Sequence, residues 1–234
     1  MDAAAYDRWY ETPRGRWIGE REAGLLRAAL RAGPGDSVLD VGCGTGYFSR
    51  ALSGAALRMT GVDLAPAWVA YAARRDPGRA RYAVADARRL PFPDASFDHA
   101  ISVTALCFVA EERAAVAELV RVARRRVAIG LLNRRSLLWR QEGLGGGSGG
   151  YRGARWHTAR EARGLFWGLP VEEIEIRSAI QLPGGGWWSR IVERLVSRRL
   201  PFGAFLLAAA SRVSPAASGV AALRNAAPEN DEVI

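Results

Sequence analysis

The stretch Val38-Leu39-Asp40-Val41-Gly42-Cys43-Gly44-Thr45-Gly46-Tyr47-Phe48, with Asp63 seventeen residues past its last glycine, decides how this chain reads. Residues 38–41 are a short apolar run that reads as a buried strand. The three alternate glycines allow a tight turn and a close backbone approach to a ligand before a helix opens near Tyr47. A second apolar run, Met59-Thr60-Gly61-Val62, delivers Asp63 at its carboxyl end, where a carboxylate accepts both hydroxyl hydrogens of a ribose. The pattern describes an α/β unit that holds a nucleoside.

The spacing separates this unit from the dinucleotide binders. Their fingerprint is G-x-G-x-x-G with a pyrophosphate on a helix N-terminus, whereas Gly42, Gly44 and Gly46 are two apart and Asp40 stands just before the turn. A carboxylate there repels a pyrophosphate and suits a cofactor with a cationic amino-acid end. S-adenosylmethionine has that end and a ribose.

The segment resembles motif I of the class I S-adenosylmethionine-dependent methyltransferases, in the group that includes ubiquinone and menaquinone methylases. Gly61-Val62-Asp63-Leu64-Ala65-Pro66 is similar to the second acidic motif of that family, and Ala85-Asp86-Ala87 to the motif that holds adenine. The stretch from Leu90 to Asp98 resembles the lead into the fourth strand, so the likeness runs over residues 37–108. It implies a doubly wound, Rossmann-like sheet of seven strands, mostly parallel with the last antiparallel, and S-adenosyl-L-methionine as cofactor. Carried onto this sequence, it implies cofactor contacts from Asp40, Gly42, Cys43, Gly44 and Gly46, from Asp63 and Leu64, from Asp86 and Ala87, and from Val103 and Tyr10.

The acceptor should meet the cofactor outside the carboxyl ends of the strands. That places Thr104, Cys107 and Phe108 on the pocket floor and Asn133, at the end of the fifth strand, where it can orient the acceptor. Only two histidines are available as a base. His99 lies at the wrong end of its strand and reads as structural, which leaves His157, after the glycine-rich segment, as the candidate. Tyr6, Trp9, Tyr10, Arg14 and Trp17 resemble an aromatic pattern found ahead of motif I in many relatives, and could cover the cofactor.

A chain of 234 residues with 49% hydrophobic content can bury one large core. One domain over residues 1–213 is expected, with residues 1–35 as cover and first helix. Acceptor-side insertions are expected at residues 143–158 and 182–200, and a disordered tail at residues 214–234. Strands are predicted at residues 37–41, 59–62, 80–84, 98–103, 127–131, 171–178 and 202–211, and helices at 19–31, 47–55, 66–74 and 111–122.

The net charge is +9 and every basic side chain is arginine. Spread through the chain and accompanied by abundant alanine and glycine, this reads as compositional bias more than as a nucleic-acid track. Without lysine there is no Walker A motif, and Ser102-Val103-Thr104-Ala105 stands where an amino-methylating DNA enzyme carries its Pro-Pro motif. The two cysteines have no metal-ligand spacing, so no metal is expected, and no apolar run is long enough to span a membrane. The reading is a cytoplasmic methyltransferase acting on a small organic acceptor. An RNA or protein methylase and a non-catalytic cofactor-binding regulator are its rivals; nothing sets the oligomeric state.

Overall fold

The computed structural model describes residues 2–54, 56–196 and 200–213, so the tail expected at 214–234 lies outside the described residues. In chain order the elements are α1 (Ala3–Trp9), α2 (Pro13–Leu30), β1 (Ser37–Val41), α3 (Tyr47–Ser53), β2 (Arg58–Asp63), α4 (Pro66–Arg75), β3 (Ala80–Val84), β4 (Phe97–Val103), α5 (Glu112–Val122), β5 (Ala123–Leu132), α6 (Ala159–Gly164), β6 (Val171–Ala179), α7 (Trp187–Leu195) and β7 (Phe205–Arg212). Short 3-10 and π turns fill residues 139–151.

The strands form one seven-stranded sheet in the order β3-β2-β1-β4-β5-β7-β6. All pairs from β3 to β5 are parallel, and β7 runs antiparallel to both β5 and β6. This is the expected doubly wound arrangement. The strand order reverses between β1 and β4, which opens a crevice at their carboxyl ends. Central strands covered on both faces must be apolar throughout. Accordingly β1 is buried from Val38 to Val41, and β5 and β7 are buried through Leu132 and from Phe205.

The first long helix begins six residues earlier than its periodicity suggests. Thr12 caps it, accepting from Gly15 N–H at 3.0 Å, and Pro13 occupies the first turn. Gly15 and Gly19 are contact points within it: a Cβ on Gly19 would strike the Tyr47 ring. The unexpected α1 is held down by buried Asp7, which accepts from Arg50 Nη2 at 2.6 Å, Arg75 Nε at 3.1 Å and Tyr71 Oη at 3.3 Å. These partners come from α3 and α4, so α1 is tied across the crevice.

The antiparallel end of the sheet is fastened by Arg126. Its buried guanidinium donates to Glu173 and Ser211 through Nη1 and to Glu175 through Nη2, joining β5, β7 and β6. Four residues further along β5, Gly130 leaves room for the Phe205 ring. A Cβ at Gly130 would lie 2.5 Å from two ring carbons and 3.3 Å from Val103 Cγ1. Gly130→Ala is therefore expected to lower the unfolding free energy by about 1–3 kcal/mol, measured by urea denaturation, as overpacking of a tight core. Unchanged stability would show that Phe205 has room to move.

Candidate active site

The crevice at the strand reversal is a cavity of about 940 Å³. Its floor is the glycine turn, and the turn is set by backbone bonding. Gly42 N–H and Cys43 N–H both donate to the Val62 carbonyl, at 2.7 and 2.9 Å. Gly42 has φ of +74°, and a Cβ there would collide with Ala105, so the turn requires glycine at this position.

Three carboxylates face the cavity in three different electrostatic settings. Asp63, at the end of β2, accepts from Gly44 N–H and from Ala65 N–H, each at 2.9 Å and each on a different oxygen. Each oxygen keeps a lone pair for a ribose hydroxyl. Asp40 is buried and accepts from Ser49 Oγ at 2.7 Å. Burial outweighs that bond and raises its pKa to about 7. A cation beside Asp40 would restore the ionised form, which matches the amino-acid end of S-adenosylmethionine. Asp86 is held down at about 2 by Arg88, whose Nε and Nη2 grip its carboxylate at 2.7–3.2 Å. Most of its acceptor capacity is therefore already in use, so contact with an adenine amine would share the carboxylate with Arg88.

Of the sequence-predicted cofactor residues, Tyr10, Asp40, Gly42, Cys43, Gly44, Asp63, Leu64, Asp86, Ala87 and Val103 all line this cavity. Thr104 and Phe108 line it too. Thr104 has φ of +52°, an uncommon conformation for a threonine, held by its N–H bond to Gly130 O at 2.8 Å and its Oγ bond to Val103 O at 2.8 Å. Strain of this kind clusters where a side chain must be aimed at a ligand.

Four expected site residues are placed elsewhere. Gly46 caps α3 and packs under Tyr82 and Ala72. Cys107 is buried behind the cavity wall, its sulfur accepting from Leu132 N–H at 3.5 Å. Asn133 donates through Nδ2 to the carbonyls of Pro201 and Gly203, fixing the entry to β7. His157, the expected base, is buried with Nε2 2.8 Å from Glu112 Oε2 and does not line the crevice. All four belong to scaffold contacts that the sequence order conceals.

Residues 39–129 match a family model described as a methyltransferase domain. A malonyl-[acyl-carrier protein] O-methyltransferase of Serratia marcescens is 38% identical over 109 residues, which cover 47% of this chain and 41% of that protein. An O-methyltransferase of Penicillium expansum is 33% identical over 113 residues, again 41% of its length. The chain thus spans less than half of each. The fold matches a Thermotoga maritima protein described as an S-adenosylmethionine-dependent methyltransferase, possible histamine N-methyltransferase. That match has a TM-score of 0.70 at 24% identity, over 90% of this chain and 96% of that one.

Residues 39–129 therefore carry a methyltransferase domain.

Beside this domain's crevice a second cavity, of about 380 Å³, adjoins the first. Tyr6, Tyr10, Thr104, Phe108 and Gly150 line both. The aromatic residues expected as cover do separate: Tyr6 and Tyr10 stand between the cavities, Trp9 and Arg14 line the second, and Trp17 is buried in the core. Tyr10 stacks on Tyr47 with centroids 3.7 Å apart and planes 12° apart, and the Tyr6 and Tyr10 hydroxyls lie 3.4 Å from each other.

The second cavity is mostly apolar, walled by Ile18, Leu132, Leu138, Ile180 and Phe205, and it contains one buried acid. Glu22 has no hydrogen-bond or ion-pair partner among the described residues, and burial alone raises its carboxyl to about 8. The signal for it was in the sequence. Glu22 follows Ile18 by four residues and precedes Leu25 and Leu26 by three and four, which puts an acid on the buried face of α2.

A folded-state pKa above the unfolded value of 4.5 makes Glu22 a pH-dependent burden. Below about pH 4.5 the acid is neutral in both the folded and unfolded states and adds no ionisation penalty, and stability is lost as pH rises from there through about 8. Glu22→Gln is expected to melt progressively higher than wild type as the pH is raised across that window, measured by calorimetry without ligand. Parallel melting curves for the two proteins would mean that Glu22 finds a partner in solution.

Proposed function

We propose that this chain transfers the methyl group of S-adenosylmethionine to a small, largely apolar acceptor bound in the 380 Å³ cavity, and that Glu22 receives the proton the acceptor gives up. The observation that carries this reading is the pair of joined cavities. One presents carboxylates placed for an amino acid and a ribose, and the other is apolar with a single unpartnered acid.

When bound, the cofactor supplies a methyl carbon on a positively charged sulfur, so the reaction is an in-line displacement governed by positioning and exclusion of water. Asp63 fixes the sugar and Asp40 the cationic end. The Tyr6 and Tyr10 rings at the junction offer electron-rich faces to a cation, worth roughly 0.5–2 kcal/mol per contact. Thr104 and Phe108 border the passage between donor and acceptor. The Glu22 carboxylate would take the proton that the acceptor gives up and so become the neutral acid that its surroundings favour. The names of the similar O-methyltransferases support oxygen as the acceptor atom.

The arginine-rich segments support a small acceptor over a nucleic acid, because many of their side chains are committed within the fold. Arg121 pairs with Glu118 and Asp94, Arg124 with Asp98, Arg125 with Asp36, Arg134 with Glu161 and Arg155 with Glu112. No described helix is long and apolar enough to cross a membrane. A cytoplasmic setting is part of the proposal, supported by the two free, buried thiols, Cys43 and Cys107.

Two measurements test the reading. Asp63→Ala should weaken S-adenosylhomocysteine binding roughly ten- to a hundredfold by calorimetry while the protein stays folded, the loss anticipated for hydrogen bonds to a charged group. Equal affinity would remove Asp63 from the cofactor site. Incubation with methyl-labelled donor and a host-cell extract should place label in the organic-extractable fraction. Glu22→Gln should slow that labelling by about 10²–10⁴ with S-adenosylhomocysteine affinity intact. Label in RNA or protein, or no label at all, would overturn the small-molecule assignment.

A further inference from the structure

Helix α7 is amphipathic the wrong way round for a helix on a protein surface. Its buried side chains are Ser189 and Glu193, and Glu193 accepts from Gln181 N–H at 3.0 Å. Its large apolar side chains face outward. Trp187 is 63% exposed, Trp188 61% and Leu195 80%, with Ile191 exposed between them. Helical geometry explains the arrangement: Trp187, Ile191 and Leu195 follow one another at intervals of four and form one row, Trp188 lies beside it, and Ser189 and Glu193 occupy the opposite face. The two indoles stack on each other at 3.9 Å instead of tucking into the core. Just beyond the helix, Leu200 and Phe202 are also about half exposed.

Scattered exposed apolar residues need no explanation, but a continuous apolar row does. The charges around this row indicate what it meets. Arg190 and Arg194, four residues apart, are exposed along one border of the row, and the acid of the helix, Glu193, is turned inward. Cations beside a tryptophan-rich apolar face are the composition of a helix lying in the plane of an anionic membrane surface. The chain's net charge of +9 acts in the same direction. The location fits as well. The segment leading into α7 contributes Ile180 and Pro183 to the 380 Å³ cavity, and Gly185 packs against Arg14, another residue of that cavity.

We infer that α7 is an interfacial helix that docks this protein on an anionic phospholipid surface, inserting Trp187, Trp188, Ile191 and Leu195 between the headgroups, with Arg190 and Arg194 against the lipid phosphates. Docking in this orientation presents the rim of the smaller cavity to the bilayer and gives a membrane-dissolved acceptor a short route into it. Docking through α7 does not depend on the reaction proposed for the cavities; only the route for an acceptor rests on that reaction.

The test is co-sedimentation of the full chain with extruded vesicles, either of phosphatidylcholine alone or of phosphatidylcholine mixed with phosphatidylglycerol. The protein should pellet with the mixed vesicles, remain mostly in solution with the neutral ones, and be released by added salt. Tryptophan emission should shift to the blue on binding. The double variant Trp187→Ser/Trp188→Ser should bind at least about tenfold more weakly, and Arg190→Ala and Arg194→Ala each about fivefold more weakly. All variants should keep wild-type melting and S-adenosylhomocysteine binding, a check that separates loss of docking from loss of the fold or of the donor site. Three results would overturn the inference: no sedimentation with the anionic vesicles, wild-type sedimentation of the tryptophan variant, or a wild-type dimer in solution that the tryptophan substitutions convert to monomer. The last would assign the face to a second copy of the chain.

Discussion

Two amide hydrogens, those of Gly42 and Cys43, converge on one carbonyl oxygen, that of Val62, and the site is built around this junction. It continues the parallel pairing of β1 with β2 past the end of the strand, so the turn cannot drift from the neighbouring strand. Asp63 completes the lock by accepting from Gly44 while its other oxygen receives Ala65. The same carboxylate therefore shapes the turn and offers its remaining lone pairs to a ligand. Backbone order and binding capacity arise from one set of hydrogen bonds, which is why the glycine spacing is so informative.

Burial then divides the acids by task. Asp86 is partly exposed and paired with Arg88, which holds it ionised, whereas Asp40 and Glu22 are enclosed and pushed toward neutrality, to about 7 and about 8. Asp40 has a hydroxyl partner and stands at the donor cavity; Glu22 has none and stands at the other. A buried acid without a partner costs stability, and nothing in the packing of α2 requires one. The cost has a purpose if a ligand completes the site, as in many functional positions where local rules are broken.

The cover over the donor cavity depends on a different buried acid. Asp7 gathers two arginines and a tyrosine from α3 and α4 and so holds α1 across the crevice. Tyr6 and Tyr10 thereby come to stand between the two cavities. Local sequence says only that aromatics precede the glycine turn; the long-range ion pairs determine which of them reach the site. Trp17, equally aromatic and only seven residues beyond Tyr10, is packed in the core instead.

What the sequence determined by itself is whatever rests on short-range geometry. Short apolar runs, helix periods near four, the alternate glycines and the strand-end acids at Asp40, Asp63 and Asp86 are each legible within a few residues, and from them come the doubly wound sheet and the donor cavity. Tertiary structure decided what depends on residues distant in the chain. His157 follows a glycine-rich segment and looks free to act, yet Glu112, forty-five positions away, binds it into the scaffold. Asn133 closes a strand end as expected but turns to carbonyls of the β7 entry. Glu22 could be seen to lie on an apolar helix face, but that this face borders a cavity, rather than solid core, follows only from how α2 meets β5 and β7. The physical reason is the same throughout: backbone conformation is set by neighbours in sequence, whereas the solvation and partners of a polar side chain are set by neighbours in space.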